Sequence, residues 1–179
     1  MQLETELKAL GSKASADDFE EGLADVFAEM FPNWTTDDLL IRPRNARDYC
    51  QAIAARFRFP KEGIADEMIL RRLTNVRKKA RSRLPRVART PGPKLGRVLE
   101  EFGIAADEGT FRETIRALFL EAHKEWSVDA FLGHWRDASY FCGIVSNHLG
   151  INRTIDSDTL ILGTLLNMRR KGGLRGNAA

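Results

Sequence analysis

Residues 3–40 read LETELKALGSKASADDFEEGLADVFAEMFPNWTTDDLL, and residues 95–132 read LGRVLEEFGIAADEGTFRETIRALFLEAHKEWSVDAFL. The second stretch repeats the pattern of the first about ninety-two residues later and needs no gap. The matching positions include Leu3, Leu7, Gly11, Phe19, Phe27, Trp34, Asp37 and Leu40 in the first copy, and Leu95, Leu99, Gly103, Phe111, Phe119, Trp126, Asp129 and Leu132 in the second. What both copies keep is expected to serve the fold, and what differs between them is a candidate for function.

Beyond these stretches the match between the copies continues with two gaps. One deletion places Tyr49, Ile53 and Ile64 on Tyr140, Ile144 and Ile155, and one insertion places the segment from Ile69 to Lys79 on Ile161 to Lys171. In this alignment Cys50 and Cys142 do not occupy equivalent positions. Two unmatched cysteines do not indicate a disulfide framework, so a reducing, cytoplasmic location is expected.

The apolar residues of each copy recur at helical spacing, and no segment reads convincingly as a strand. We therefore expect an all-α protein made of two tandem copies of a helical, helix-turn-helix-like unit with pseudo-twofold packing. The expected boundaries are residues 1–80 for the first copy, 81–94 for a basic, proline-containing linker, and 95–179 for the second copy with a short basic tail. Units of this size bury a modest fraction of their surface, which favours packing of the two together.

Local signals divide each copy into four or five helices. Gly11 and Gly103 are expected to end the first helix of each copy, because glycine tolerates the left-handed cap conformation. Thr35 and Ser127 are expected helix N-caps, since a hydroxyl there accepts a bond from a backbone amide. In the first copy, Pro43 is expected to end the helix that follows Thr35 and to start a new one.

The second copy has no proline at that point, so its helix after Ser127 is expected to run on through Tyr140 towards His148. Trp34 and Trp126 precede their helices at a position where they can pack on residues of the first turn. Both are expected in the core, and so are Trp135 and Tyr140. Stacking of these rings on nucleic-acid bases is the minority interpretation.

The net charge of +3 hides a strong asymmetry along the chain. The segment from Met1 to Met30 contains eight acidic residues and two lysines, whereas Met68 to Leu99 contains eleven Lys and Arg residues and no acid. A local excess of this size is more than solubility requires. It favours a polyanionic partner, most often nucleic acid.

The last helix of the first copy is the strongest candidate for a binding surface. With Ile69, Leu70, Leu73 and Val76 facing inward, the opposite face carries Arg71, Arg72, Asn75, Lys78 and Lys79. Arginine pairs with guanine and asparagine with adenine, so Arg71, Arg72 and Asn75 are candidate base readers in a DNA major groove. Candidate phosphate contacts come from Lys78, Lys79, Arg81, Arg83, Arg86 and Arg89.

Simpler interpretations stand beside this one. Basic residues near a helix C-terminus oppose the helix dipole, and arginine-rich faces are often only solvated. In the second copy Asn167, Arg170 and Lys171 continue the pattern, but Arg71 and Arg72 become Gly163 and Thr164. This second surface is expected to be weaker or to have a different task.

Three further sets of polar residues have interpretations of their own. Asn75 and Asn167 either contact bases or hydrogen-bond a neighbouring loop, with equal weight. Arg77 and Arg169 are expected to pair with an acid such as Glu29 or Glu121. The acidic residues of the first helices either contact a protein partner, fold against the basic linker or form a solvated surface.

The sequence contains no pattern typical of an enzyme or a cofactor site. His123, His134, His148, Cys50 and Cys142 lack the spacing of zinc ligands, so no metal is expected. No phosphate-binding glycine motif is present, and no cofactor is expected. The start of the chain lacks the basic residues and apolar core of a secretion signal, and no apolar run is long enough to span a membrane.

The sequence therefore predicts a non-enzymatic nucleic-acid-binding protein, with duplex DNA favoured over RNA. The alternative is an interaction adaptor built from duplicated helical units, whose basic linker docks on an acidic partner. The second copy and the acidic first helices are further candidate surfaces for a protein partner. An enzyme is the weakest of the three classes.

Overall fold

The structure is a computed structural model that describes residues 3–59, 63, 65–78, 84–85, 87 and 92–170. Every regular element in these residues is an α-helix, which confirms the prediction of an all-α protein. The chain divides into two compact units. The first contains Met1–Leu40 and Arg44–Val87, and the second contains Ile41–Pro43 and Ala88–Ala179.

The first unit is built around an aromatic core. Its helices are α1 (Leu3–Ala9), α2 (Ala16–Met30), α3 (Thr36–Leu40), α4 (Pro43–Phe57) and α5 (Asp66–Lys78). α2 packs against α1 and α5, and α3 also packs against α5. Phe19 and Phe27 of α2 and Tyr49 of α4 are fully buried. The Tyr49 hydroxyl donates to the Leu23 carbonyl at 2.8 Å, which gives this buried polar group the partner it needs.

The second unit has a phenylalanine core. Its helices are α6 (Leu95–Glu101), α7 (Glu108–His123), α8 (Val128–Leu132), α9 (Trp135–Leu149) and α10 (Ile155–Arg170). α10 packs against α7, α8 and α9. The rings of Phe119, Phe131 and Phe141 meet edge to face, with centroids 5.1, 5.5 and 6.1 Å apart. This is a favoured aromatic geometry, and it fixes α7, α8 and α9 around one point.

An offset of 92 residues relates the starts of the first four helices of the two units, whereas α10 begins three residues earlier than this offset from α5 predicts. Leu3 and Leu95 begin α1 and α6, and Pro43 and Trp135 begin α4 and α9, so each pair lies 92 residues apart. Two positions at this offset are called counterparts below. The offset holds for contacts as well as for helix ends, because Cys50 Sγ lies 3.8 Å from the Asp66 carbonyl and Cys142 Sγ lies 3.8 Å from the Asp158 carbonyl.

The two gaps expected from the sequence are therefore wrong in the described segments. Tyr49 is fully buried, but Tyr140, with which it was aligned, is 72% exposed. The counterpart of Tyr49 is Phe141, which is fully buried. The sequence alignment paired identical residue types, whereas the structure pairs positions of equal burial. In consequence Cys50 and Cys142 are counterparts after all, and both are buried.

Helix boundaries follow the predicted signals with one exception. α4 begins at Pro43, as expected. Thr35 and Ser127 cap α3 and α8, accepting bonds from the amides of Asp38 at 3.3 Å and Ala130 at 3.1 Å. The exception lies after α8, where the expected continuous helix is broken. Gly133 ends α8, and α9 starts anew at Trp135 after a non-helical residue.

The tryptophans lie nearer the surface than the sequence indicates. Trp126 is 37% exposed, and Trp34 is half-buried and stacks on Phe31 at 4.8 Å. Trp135 is also half-buried, with the Arg136 guanidinium 4.4 Å from its ring centre. None of the three tryptophans is fully buried, and the fully buried rings are Tyr49 and phenylalanines.

Left-handed residues end several helices, and one of them is not glycine. Gly11 and Gly103 have φ of 74° and 66°, which confirms their predicted role after α1 and α6. Arg58 ends α4 with φ of 57°, and its counterpart Gly150 ends α9 with φ of 65°. In both caps the backbone amide after the left-handed residue donates to a carbonyl of the last helical turn. The Phe59 amide donates to the Ala54 carbonyl at 2.9 Å, and the Ile151 amide donates to the Ser146 carbonyl at 2.8 Å.

We expect Arg58→Gly to stabilise the first unit by about 0.5–1 kcal/mol, because an L-residue is strained in this conformation and glycine is not. The Arg58 side chain is exposed, so its removal costs little packing. Urea unfolding measures the change. The matched control is Gly150→Ala, for which the opposite sign is expected. A lower unfolding free energy for Arg58→Gly would contradict the claim that Arg58 is strained in this conformation.

Candidate nucleic-acid interface

The predicted two-sided character of α5 is present in the structure. Ile69, Leu70 and Leu73 are fully buried. Arg71 and Asn75 are exposed on the outward side of the same helix. Lys78 occupies its last turn. Residues 71, 75 and 78 are spaced so that they follow one stripe along the helix.

Arg71 and Arg72 do not project alone into solvent. Both guanidiniums bind the Glu6 carboxylate of α1, with N···O distances of 2.5 Å from Arg71 and 3.0 Å from Arg72. We call this arrangement the Glu6 bridge. Its members differ in exposure, with 12% of the Glu6 side chain, 20% of Arg72 and 49% of Arg71 accessible. The bridge joins the first helix of the unit to the last.

The Glu6 bridge changes the titration of its carboxylate. Burial disfavours the charged form, but the hydrogen bond from Arg72 and the charge of Arg71 outweigh burial, and the pKa of Glu6 lies below its ordinary value. Reading of bases by Arg71 and Arg72 therefore requires that two charge-assisted bonds first be broken. Their role as base readers remains a prediction, with this cost attached.

Sequence reasoning missed Glu6, although a signal was present. The counterparts of Glu6, Arg71 and Arg72 are Val98, Gly163 and Thr164. All three members of the bridge thus change together between the two units. A simultaneous change at three polar positions indicates that the three side chains interact in the unit that keeps them.

Arg77 and Arg169 are held by ion pairs at counterpart positions. Arg77 binds Asp37 at 2.5 Å, and Arg169 binds Asp129. The prediction that each pairs with an acid is confirmed, but the expected partners, Glu29 and Glu121, are wrong. Asp37 and Asp129 lie in the first turns of α3 and α8, where the helix dipole already favours a carboxylate. These pairs connect helices within each unit.

Asn75 and Asn167 are polar residues at counterpart positions that the fold does not explain. Both side chains are exposed, and neither makes a hydrogen bond to another described residue. The alternative that they hold a neighbouring loop therefore finds no support in the described ranges. An exposed amide kept at counterpart positions stays available to a ligand.

Most of the predicted phosphate contacts lie beyond the residues that can be placed. Lys79, Arg81, Arg83, Arg86, Arg89 and Lys171 lie outside the described residues, as does the side chain of Lys78. Arg170 is exposed at the end of α10. The connection from α4 to α5 runs from Arg58 to Ala65, longer than the tight turn of a helix-turn-helix.

In the described part of the chain, no three His, Cys, Asp or Glu side chains are grouped closely enough to hold a metal ion. Burial raises the pKa of the Cys142 thiol well above its usual range, which disfavours the nucleophilic thiolate. Within the same residues, no helix has the length and apolar character to cross a membrane.

Comparisons of the chain with protein-family models, with curated proteins and with solved structures find no match. The function is accordingly proposed from the residues of the chain itself.

Proposed function

We propose that the chain consists of two copies of one duplicated helical unit. The support is the offset of 92 residues, which relates four of the five pairs of helix starts, the left-handed caps, the Arg77 and Arg169 ion pairs and the two cysteine contacts. Independent origins would not produce one offset shared by helix starts, helix caps and long-range contacts. The positions that differ between the copies are then the ones to examine for function.

We propose that the protein binds nucleic acid, with duplex DNA as the first candidate, through Asn75 and the cations that follow it. The observation that carries this proposal is the run from Met68 to Leu99, with eleven positive residues and no acid. Within the run, Asn75 is exposed and makes no hydrogen bond to another described residue. Asparagine contacts adenine through two hydrogen bonds, and adjacent Lys and Arg residues neutralise phosphates.

In this proposal Arg71 and Arg72 act mainly through α1. They keep α1 against α5 through the Glu6 bridge, and Asn75 lies one turn further along the helix. Arg77 is also paired to a carboxylate of another helix. The phosphate contacts are therefore assigned to Lys78, Lys79, Arg81 and Arg83, followed by Arg86 and Arg89.

Replacing Lys78, Lys79, Arg81 and Arg83 together by alanine is expected to weaken duplex binding by about tenfold or more. The salt dependence of the affinity should also become shallower, by about one unit of slope for each phosphate that the variant no longer neutralises. Fluorescence anisotropy across a salt series measures both quantities. A structured RNA hairpin in the same assay separates DNA from RNA.

The matched control for this variant removes four cations elsewhere, namely Lys13, Arg44, Arg47 and Lys124, all of them exposed. The loss of net charge is then the same, but the basic run is intact. Equal losses of affinity in the two variants would show only nonspecific attraction. Binding that does not depend on salt would contradict the proposal directly.

The adaptor remains the second proposal, because the second unit exposes large apolar side chains. Tyr140 is 72% exposed, Ile155 47%, Phe102 38% and Trp126 37%. Exposed aromatic residues are enriched at protein interfaces. Partner proteins retained after nuclease treatment, and released by Tyr140→Ser, would favour this function. Disappearance of every partner on nuclease treatment would count against it.

A further inference from the structure

The second unit contains an open cleft of about 310 Å³ between α6, α7 and α10. Its apolar wall is formed by Leu95, Val98 and Leu160, and its polar side by Arg112, Thr164 and Asn167. The volume is at the lower end of the range for small-molecule sites, roughly 300–1,000 Å³. Apolar walls with a few polar groups are also typical of such sites.

The cleft occupies the place that the Glu6 bridge fills in the first unit. The bridge lies between α1 and α5, and the cleft includes the counterpart helices α6 and α10. At the counterpart positions, two arginines become Gly163 and Thr164, and the glutamate becomes Val98. The same helix packing therefore occurs with the Glu6 bridge in the first unit and with an open cleft in the second. The cleft is not a requirement of the fold.

The charges of the cleft favour an acidic occupant. Arg112 lines the cleft, and its side chain is 37% exposed. Its acidic neighbour, Glu108, accepts from Arg112 at 3.3 Å and, through its other oxygen, from the Gly96 amide at 2.7 Å. A guanidinium has five N–H donors, so one bond to Glu108 leaves others available for a ligand.

Two neutral groups add hydrogen-bonding capacity beside Arg112. The Thr164 hydroxyl and the Asn167 amide line the cleft, and neither bonds to another residue in the described ranges. In the first unit the carboxylate is supplied by the chain itself, through Glu6. In the second unit the carboxylate and both arginines of the bridge are replaced by Val98, Gly163 and Thr164. The cation that a carboxylate or phosphate from outside would meet there is Arg112 of α7.

We propose that this cleft binds a small organic anion, a carboxylate or phosphate monoester carried on an apolar chain. The anionic group lies against Arg112 and Asn167, and the apolar chain follows Leu95, Val98 and Leu160. The site uses none of Asn75, Lys78, Lys79, Arg81, Arg83, Arg86 and Arg89, to which the nucleic-acid proposal assigns its contacts.

The test is a titration of the ¹⁵N-labelled full-length chain with octanoate and, separately, with octyl phosphate, each below its micelle concentration. Saturable shifts of the Asn167 side-chain amide and of the Gly163 and Thr164 backbone amides are expected for at least one of the two. The tighter ligand identifies the head group. Octanol and octylamine lack the anion and are expected to leave these signals unchanged.

Two variants separate a built site from general adhesion. Arg112→Gln is expected to weaken binding by about tenfold, because it removes a charge-assisted hydrogen bond. The matched control is Arg116→Gln, one turn along α7, where the arginine is similarly exposed at 43% and does not line the cleft. Val98→Phe is expected to abolish binding by filling the cleft.

Three results would overturn the proposal. The first is the absence of saturable shifts with both anions. The second is an equal effect of Arg112→Gln and Arg116→Gln. The third is binding by octanol or octylamine as tight as that of the anions. Because Arg112 is partly exposed, its variant gives an answer even if Val98→Phe does not fold.

Discussion

Replacing Arg153 by alanine is expected to destabilise the second unit by about 2–3 kcal/mol, because the Asp158 carboxylate would remain buried without its cation. Asp158 is 4% exposed. Arg153 binds both of its oxygens, at 3.0 and 3.1 Å, and also donates to the carbonyl and the hydroxyl of Ser139 at 2.6 and 2.7 Å. The Arg153 side chain is 40% exposed, so solvent reduces the loss from the value of a fully buried pair.

Urea unfolding combined with hydrogen exchange of the α10 amides would measure this change and assign it to the second unit. The double variant Arg153→Ala with Asp158→Asn is expected to recover part of the missing stability, because the unpaired charge is then absent. The matched control is Arg97→Ala, which removes an exposed pair with Glu101 and is expected to change stability by less than about 0.5 kcal/mol. Equal losses for Arg153→Ala and Arg97→Ala would refute a special cost of burying Asp158.

Replacing Glu6 by glutamine is expected to cost the first unit about 2 kcal/mol at neutral pH, because two charge-assisted hydrogen bonds become weak and two guanidiniums remain close together. Arg72 contributes most of this loss, since it is the less exposed of the two arginines. Glu4→Gln is the matched control, because Glu4 is an exposed acid on the same helix. Little change is expected for Glu4→Gln, so a similar loss in both variants would contradict a specific bridge.

The pH dependence of the Glu6→Gln effect has a definite sign. The pKa of Glu6 in the folded chain lies below its ordinary value of 4.5, so ionised Glu6 stabilises the fold. Its contribution is complete above pH 4.5 and is lost as the pH falls through the lower folded pKa. The difference in unfolding free energy between the native chain and the variant should therefore be constant near neutral pH and should disappear in acid. A difference that persists unchanged in acid would point to another origin.

Local signals in the sequence were sufficient for much of the fold. Gly11, Thr35 and Pro43 each act on the backbone within a few residues, so their effects could be predicted from position alone. The apolar side of α5 was also predictable, because Ile69, Leu70 and Leu73 repeat at helical spacing. Each of these features depends on near neighbours in the chain.

Features that depend on distant residues could not be predicted in the same way. The Glu6 bridge connects Glu6 to Arg71 and Arg72, which lie 65 and 66 positions further along the chain. The periodicity of the sequence carries no information on such a contact. The alignment of Tyr49 with Tyr140 failed for a related reason. Residue identity suggested one pairing, while burial, which depends on the whole unit, selects Phe141. The candidate site was predicted in outline, but the partners of its arginines were not.

The offset of 92 residues also has a consequence for how the chain folds. The connections before α4 and α9 are both two residues long, and exchange of such similar helices during folding is a hazard of similar neighbouring units. The two helices differ at the buried counterpart positions Tyr49 of α4 and Phe141 of α9. Phe141 in the place of Tyr49 would lose the buried hydrogen bond that the Tyr49 hydroxyl donates to the Leu23 carbonyl. This hydrogen bond therefore favours α4 over α9 in the first unit.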